Sequence, residues 1–318
     1  MKKIICLLLC LAMLLPVLTG CGNTQPAETT GATEETVPDD GVLKILAIGN
    51  SFSEDATHLL YQVAQAEGKE QIVIGNLFIG GCSLATHAKN VKDIGDKDYT
   101  FFYNNSGVWK TEENTKILHG LRRDDWDIIT LQQASHASGK VSTYNEDIQT
   151  ITSFVQENKL NPGAKMLWHM TWAYRGDSTS DSFAPYNNDQ MTMYNMIVGA
   201  VQEKIVTDDA FSDVLPVGTA IQNARSSYLG DTMNRDGSHL SDLGRVIAAY
   251  VWYCKLTGKT LDTINLAAVP ARLTKSYEMP GDMVLTEGEK LVIAEAVKNA
   301  IANPFTVTQS QYTTEPGK

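Results

Sequence analysis

Lys44-Ile45-Leu46-Ala47-Ile48-Gly49-Asn50-Ser51-Phe52-Ser53 sets the frame for everything else in the chain. A short apolar run that ends in a Gly-x-Ser turn and passes into a helical pattern reads as a first strand delivering a serine to the carboxyl edge of a sheet. Open α/β sheets place their ligands at that edge. The same serine has a structural reading: with Glu54 three residues on, Ser51 fits a helix capping box. A catalytic role for Ser51 needs a base, an orienter for that base and oxyanion donors elsewhere in the chain.

Outward from this stretch, helical and strand patterns alternate from Val42 to about Pro304, the order expected of an α/β fold with a parallel sheet. Short apolar runs predict strands at Leu43 to Ile48, Gln71 to Leu77, Asp127 to Leu131, Lys165 to Thr171 and Val214 to Val217, all suited to burial on both faces. Helices are expected at Glu54 to Glu67, Thr111 to Arg122, Tyr144 to Asn158, Gln190 to Val206, Ser241 to Thr257 and Glu287 to Ala302. The aromatic run Tyr99 to Trp109 reads as a hairpin turning at Asn105 to Gly107, its aromatic rings suited to a packed lid, to one wall of a carbohydrate pocket or, equally, to simple packing. Leu261 to Leu285 has no clear period and reads as loop.

The 318 residues carry a formal net charge of −11, with Lys and Arg scattered and no basic stripe. That balance argues against nucleic acid as a partner and against electrostatic attraction to anionic lipid. Lys2-Lys3 followed by the apolar run Ile4 to Leu18 is an export signal, too short to span a bilayer with proper flanks. Its ending, Leu18-Thr19-Gly20-Cys21, resembles the bacterial lipobox, which implies cleavage before Cys21 and lipid on its thiol; an ordinary signal peptide or an uncleaved anchor are the alternatives. Gly22 to Asp40 holds almost no bulky apolar residue and reads as a flexible tether. The expected layout is a signal at 1–20, lipidated Cys21 with a linker to 41, one domain at 42–305 and a tail at 306–318. Of the remaining cysteines, Cys82 and Cys254 have no spacing suited to a metal site or disulfide framework. No motif for a metal, nucleotide or other cofactor is present.

The search for a base among six histidines singles out His239, in Asp236-Gly237-Ser238-His239 just before a helix that Ser241 can cap. An aspartate three residues back across a Gly-Ser turn can accept the imidazole Nδ1–H and leave Nε2 outward as a base. Solvated turn residues are the plain alternative. Gly80-Gly81, directly after the second strand, would let a backbone N–H approach a substrate closely. Gln132 and Gln133 close the third strand; either amide could donate to an oxyanion or satisfy loop carbonyls. Trp172 and Tyr174 are candidates to line a substrate pocket, whereas Trp168 and His169 read as core.

In this order the blocks resemble the SGNH (GDSL-type) hydrolase superfamily over nearly the whole domain. Gly49-Asn50-Ser51-Phe52-Ser53 is similar to its first block, with Asn50 where Asp is usual. Ile79-Gly80-Gly81-Cys82-Ser83 resembles the second block, and Asp236-Gly-Ser-His239 matches the last. The third block departs: Ala134 stands where the family has an asparagine, flanked by Gln132 and Gln133. The Leu131-Gln132-Gln133 version, with Leu167 to Tyr174, is similar to a bacterial subgroup of secreted and lipid-anchored members. The resemblance implies a single-domain three-layer α/β/α sandwich on a five-stranded parallel sheet of flavodoxin type. It implies Ser51 as nucleophile, His239 as base and Asp236 as its orienter, with the N–H groups of Ser51 and Gly81 and the side chain of Gln132 or Gln133 as oxyanion donors. The implied activity is that of a surface-anchored, extracytoplasmic serine esterase removing O-acetyl or similar acyl groups from carbohydrate, without cofactor. A non-catalytic glycan-binding lipoprotein and an acyltransferase with the same triad are the rival readings.

Overall fold

The computed structural model describes residues 41–69, 71–93, 99–270, 272–273, 278–279 and 283–317. The segments expected to be an export signal and a tether, with Cys21 between them, lie outside the described residues.

The first strand, β1 (Leu43–Gly49), is central, and Ile45 to Ile48 are fully buried. It pairs in parallel with β2 (Ile72–Phe78) on one side and β5 (Ile128–Leu131) on the other, placing Gly49 beside Phe78 and Ile48 beside Leu131. Beyond β5 follow β6 (Lys165–His169) and β7 (Asp213–Leu215), also parallel. These five strands are the expected ones, in the order 2-1-3-4-5 of the doubly wound flavodoxin type. The sheet nevertheless has seven strands. The aromatic hairpin, β3 (Tyr99–Asn104) and β4 (Lys110–Thr115), adds to the β2 edge in antiparallel fashion. Tyr99, Phe101, Phe102 and Tyr103 are buried, so the run is part of the sheet core and not a pocket wall. The outer strand β4 (Lys-Thr-Glu-Glu-Asn-Thr) is polar and mostly exposed, which discourages further strand pairing at that edge.

Helices α1 (Ser51–Thr57), α2 (Leu60–Ala66), α7 (Val217–Arg225), α8 (Asp242–Thr257) and α9 (Glu287–Ala302) pack against one another as one layer. A second group is formed by α3 (Leu84–Lys92), α4 (Ile117–Leu121) and α5 (Asp147–Asn158), while α6 (Gln190–Lys204) packs on α7. The helix expected at Glu54 to Glu67 is two helices. Thr57 donates its hydroxyl to Ser53 O at 2.8 Å, a back-bond to the preceding turn that bends helices. The helix expected at Thr111 to Arg122 is β4 followed by the single turn α4, because pairing with β3 overrides a weak helical pattern. Helices α3 and α7 had no clear signal. Ser241 caps α8 as anticipated, accepting from Gly244 N. Within Leu261 to Leu285, short ladders join 268–269 to 283–284 and 272–273 to 278–279. Residues 306–317 are tied to the helices: Thr308 N donates to Asn223 Oδ1 at 2.7 Å and Tyr228 N to Tyr312 O at 2.8 Å. Among the described residues no helix is long and apolar enough to cross a membrane.

Candidate active site

The capping question at Ser51 is decided one residue earlier. Asn50, in extended backbone, is the N-cap of α1 and its side chain accepts from Phe52 N at 2.9 Å. Ser51 is therefore the first residue inside the helix, and its hydroxyl is free of capping duty. Its Oγ lies 2.9 Å from His239 Nε2, and His239 Nδ1 lies 2.8 Å from Asp236 Oδ2. The other Asp236 oxygen accepts the backbone N–H of His239 at 2.8 Å and of Ser238 at 3.1 Å. Gly237, at φ +86°, makes this tight bend available. Burial pushes the Asp236 carboxyl up, but the N–H and imidazole of His239 outweigh it and hold the group down at about 2. An ionised Asp236 accepts Nδ1–H, so Nε2 carries the lone pair that can take the serine proton.

The loop bearing this pair is braced from several sides. Asp55, one turn beyond Ser51 on α1 and 1% exposed, receives Arg235 Nη1 at 3.0 Å, Arg245 Nε at 2.8 Å and the backbone N–H of Leu240 at 2.8 Å. Arg235 N donates to His239 O at 2.9 Å, closing the loop on itself. Trp172 donates its indole N–H to Ser238 O at 2.8 Å and stacks on Phe52 at 4.1 Å between centroids; the Phe52 ring in turn meets His239 edge-on. Asp55, Arg235, Arg245 and Phe52 were not singled out from sequence, since nothing local to any of them signals the partner.

Bonded to the two residues before Ser51, through Ile79 N to Gly49 O and Asn50 Nδ2 to Cys82 O, is the turn Ile79 to Cys82, closed by Cys82 N to Ile79 O at 3.1 Å. Gly81 sits at φ +64°, a left-handed conformation that favours glycine, and is exposed. Among the described residues the N–H groups of Ser51 and Gly81 have no acceptor, as oxyanion donors require. The glutamines behave differently from that expectation. Gln133 is 2% exposed; its Nε2 donates to the carbonyl and hydroxyl of Thr143 and its Oε1 accepts from Leu84 N and Ala134 N. Gln132 is 1% exposed and bridges Asn50 Oδ1 and His169 Nδ1. Both amides lie in the interior with internal partners, because β5 ends beneath the turn that follows β1.

Trp172 and Tyr174 also depart from their expected role. Trp172 is fully buried between Phe52 and the His239 loop, and Tyr174 is 3% exposed with its hydroxyl on Ser135 Oγ at 2.9 Å. They brace the site from below and line no open surface. Trp168 and His169 are core, as anticipated, and burial holds His169 down at about 3. Cys82 and Cys254 are buried and in no disulfide among the described residues, and burial lifts the Cys254 thiol to about 12. Among the described residues no cluster of His, Cys, Asp or Glu is arranged to hold a metal.

Residues 44–274 match the domain of unknown function DUF4886. This chain belongs to the DUF4886 family. A DUF4886 family protein from Bacteroides uniformis is similar at 34% identity over 84% of this chain and 98% of that one, with a TM-score of 0.73. More distant is a protein from Slackia heliotrinireducens whose description proposes an SGNH hydrolase, at 18% identity, 66% and 97% coverage and TM-score 0.42. An acetyl xylan esterase is similar at 13% identity, 67% and 99% coverage and TM-score 0.42. Likenesses this distant carry no inference about the chemistry of the DUF4886 chain. No curated protein matches it. What can be said of its activity therefore rests on the geometry around Ser51.

Proposed function

We propose that this DUF4886 protein is a serine hydrolase of SGNH type that cleaves carboxylic esters. The observation that carries the reading is the pair of contacts Ser51 Oγ to His239 Nε2 at 2.9 Å and His239 Nδ1 to Asp236 Oδ2 at 2.8 Å. In the first step His239 takes the Ser51 proton as Oγ bonds to the ester carbonyl carbon. The resulting oxyanion is received by the N–H groups of Ser51 and Gly81. The tetrahedral adduct collapses as His239 returns the proton to the leaving alkoxide, and the alcohol departs. Water then repeats the sequence on the acyl-enzyme, releasing the acid and restoring Ser51. If a second alcohol enters in place of water, the same residues perform acyl transfer.

The finer reading is that of a surface-anchored esterase, held to a bacterial membrane by lipid on Cys21 and removing O-acetyl or similar groups from carbohydrate. It rests on the sequence resemblance, because the aromatic side chains once expected to face a sugar are buried. A soluble form lacking residues 1–21 treated with a fluorophosphonate tests the chemistry directly. Adduct at Ser51 in the parent, lost in His239→Ala, is the expected result. A folded parent that takes no adduct and turns over no ester, yet binds glycan, would favour the non-catalytic reading.

A further inference from the structure

A chain of buried side chains runs across the carboxyl ends of four neighbouring parallel strands. His169 closes β6, Gln132 follows β5, Asn50 follows β1, and Cys82 lies in the turn after β2. Their exposures are 0, 1, 2 and 2%, so no bond in the chain is exchanged freely with water. His169 Nδ1 is 2.8 Å from Gln132 Oε1, Gln132 Nε2 is 2.9 Å from Asn50 Oδ1, and Asn50 Nδ2 is 2.9 Å from Cys82 O.

One backbone group sets the direction of every bond. The Phe52 N–H can only donate, so the Asn50 atom it meets is the carbonyl oxygen and the amide nitrogen must face Cys82 O. Gln132 then has to present its NH2 to the same Asn50 oxygen, which turns its own oxygen toward His169. His169 must hold its proton on Nδ1, leaving Nε2 unprotonated among the rings of Trp172 and Trp252, where no buried partner meets it. Flipping either amide, or moving the imidazole proton to Nε2, would set like atoms face to face inside the protein.

The far end of the chain is the Gly80-Gly81 turn, which also bonds through Ile79 N to Gly49 O at 3.3 Å and through its own closing bond. Backbone at φ +64° in an exposed turn has little packing of its own to fix it. We propose that Gln132 and His169 are positioning residues which, through Asn50, hold the Gly81 N–H in place against Ser51 before substrate arrives. Preorganised donors contribute to the transition state more than to the ground state, so their misplacement lowers kcat more than it raises KM.

This inference rests on the serine-hydrolase reading and is tested with 4-nitrophenyl acetate on the parent, Gln132→Met, Asn50→Asp and the double variant. Asn50→Asp exchanges Nδ2 for an oxygen: as the carboxylate it still accepts from Phe52 N–H and Gln132 but cannot donate to Cys82 O, so kcat is read across pH, a protonated carboxyl being able to restore that bond. Each single variant is expected to lose on the order of 10²-fold in kcat with KM within about threefold. The double variant is expected to be no slower than the slower single, since both break the same link. Folded single variants with the parent's kcat, a loss confined to KM, or losses that multiply in the double variant would each overturn the proposal while leaving the hydrolase reading in place. A parent with no turnover and no fluorophosphonate adduct at Ser51 would overturn the hydrolase reading itself.

Discussion

His239, His169 and His87 carry the same imidazole into three different surroundings. His239 has 30% of its side chain exposed and an ionised carboxylate on Nδ1, so its other nitrogen can accept and return a proton. His169 and His87 are fully buried, and desolvation of the charged ring holds each at about 3, against an ordinary 6.5. His87 reaches one partner, the Tyr99 hydroxyl at 2.8 Å. Below about pH 6.5 the unfolded chain binds a proton at this position that the folded chain refuses until about pH 3. Its contribution is therefore intact above pH 6.5 and is lost as the pH falls through that window. His87→Gln, which can keep the Tyr99 bond, should remove one such proton. Urea unfolding at several pH values between 4 and 6 is expected to show the parent's stability falling more steeply than the variant's, by up to about 1.4 kcal/mol per pH unit. Parallel slopes would contradict the neutral buried assignment.

Helix α1 joins the two halves of the site. One end carries Ser51; one turn on, Asp55 gathers Arg235, Arg245 and the Leu240 N–H from the loop and helix that carry His239. The distance between nucleophile and base is thus set by a buried charge cluster as well as by the bond between them. Asp55→Asn leaves Arg245, which is 0% exposed, without its carboxylate. The expected cost is about 3 to 5 kcal/mol in chemical denaturation, with ester turnover reduced as well at temperatures where the variant remains folded. A variant as stable as the parent would show that the cluster does not hold the loop. None of this was legible locally. Asp55 sits in an ordinary amphipathic pattern, and Arg235 reads as one more turn residue. By contrast, Asp236 and His239 were legible because their partnership spans three residues and needs only a glycine-containing bend.

At the scale of the molecule, the five parallel strands followed from alternation of short apolar runs and helical periods and their flavodoxin-type order from the family resemblance, whereas the two antiparallel strands at the edge did not join that pattern. The hairpin was legible as a hairpin; its docking on β2 depends on which edge remains open once the parallel strands have paired. The stretch from residue 306 reads as a tail in sequence, yet it bonds to α7, to the residues just after it and to α9: Thr308 N to Asn223, Ser310 N to Ser226, Tyr228 N to Tyr312 O and Gln311 N to Glu295. A chain ending at Phe305 is expected to lose on the order of 2 to 4 kcal/mol, from several hydrogen bonds at about 1 kcal/mol each. Thermal unfolding of the shortened chain at the parent's Tm would contradict that docking.

The sequence by itself determined the α/β class, the strand that presents Ser51, the Asp236–His239 pair and the glycine turn at 80–81. All of these are signals carried within a few residues, where backbone period, turn chemistry and i, i+3 geometry act without help from the rest of the chain. Only the tertiary structure decided that Ser51 meets a histidine 188 residues away, that Trp172 and Tyr174 are braces, and that Gln132 faces inward. Each of those outcomes depends on which strand ends lie side by side when the sheet closes, and adjacency in a sheet is set by packing of the whole core.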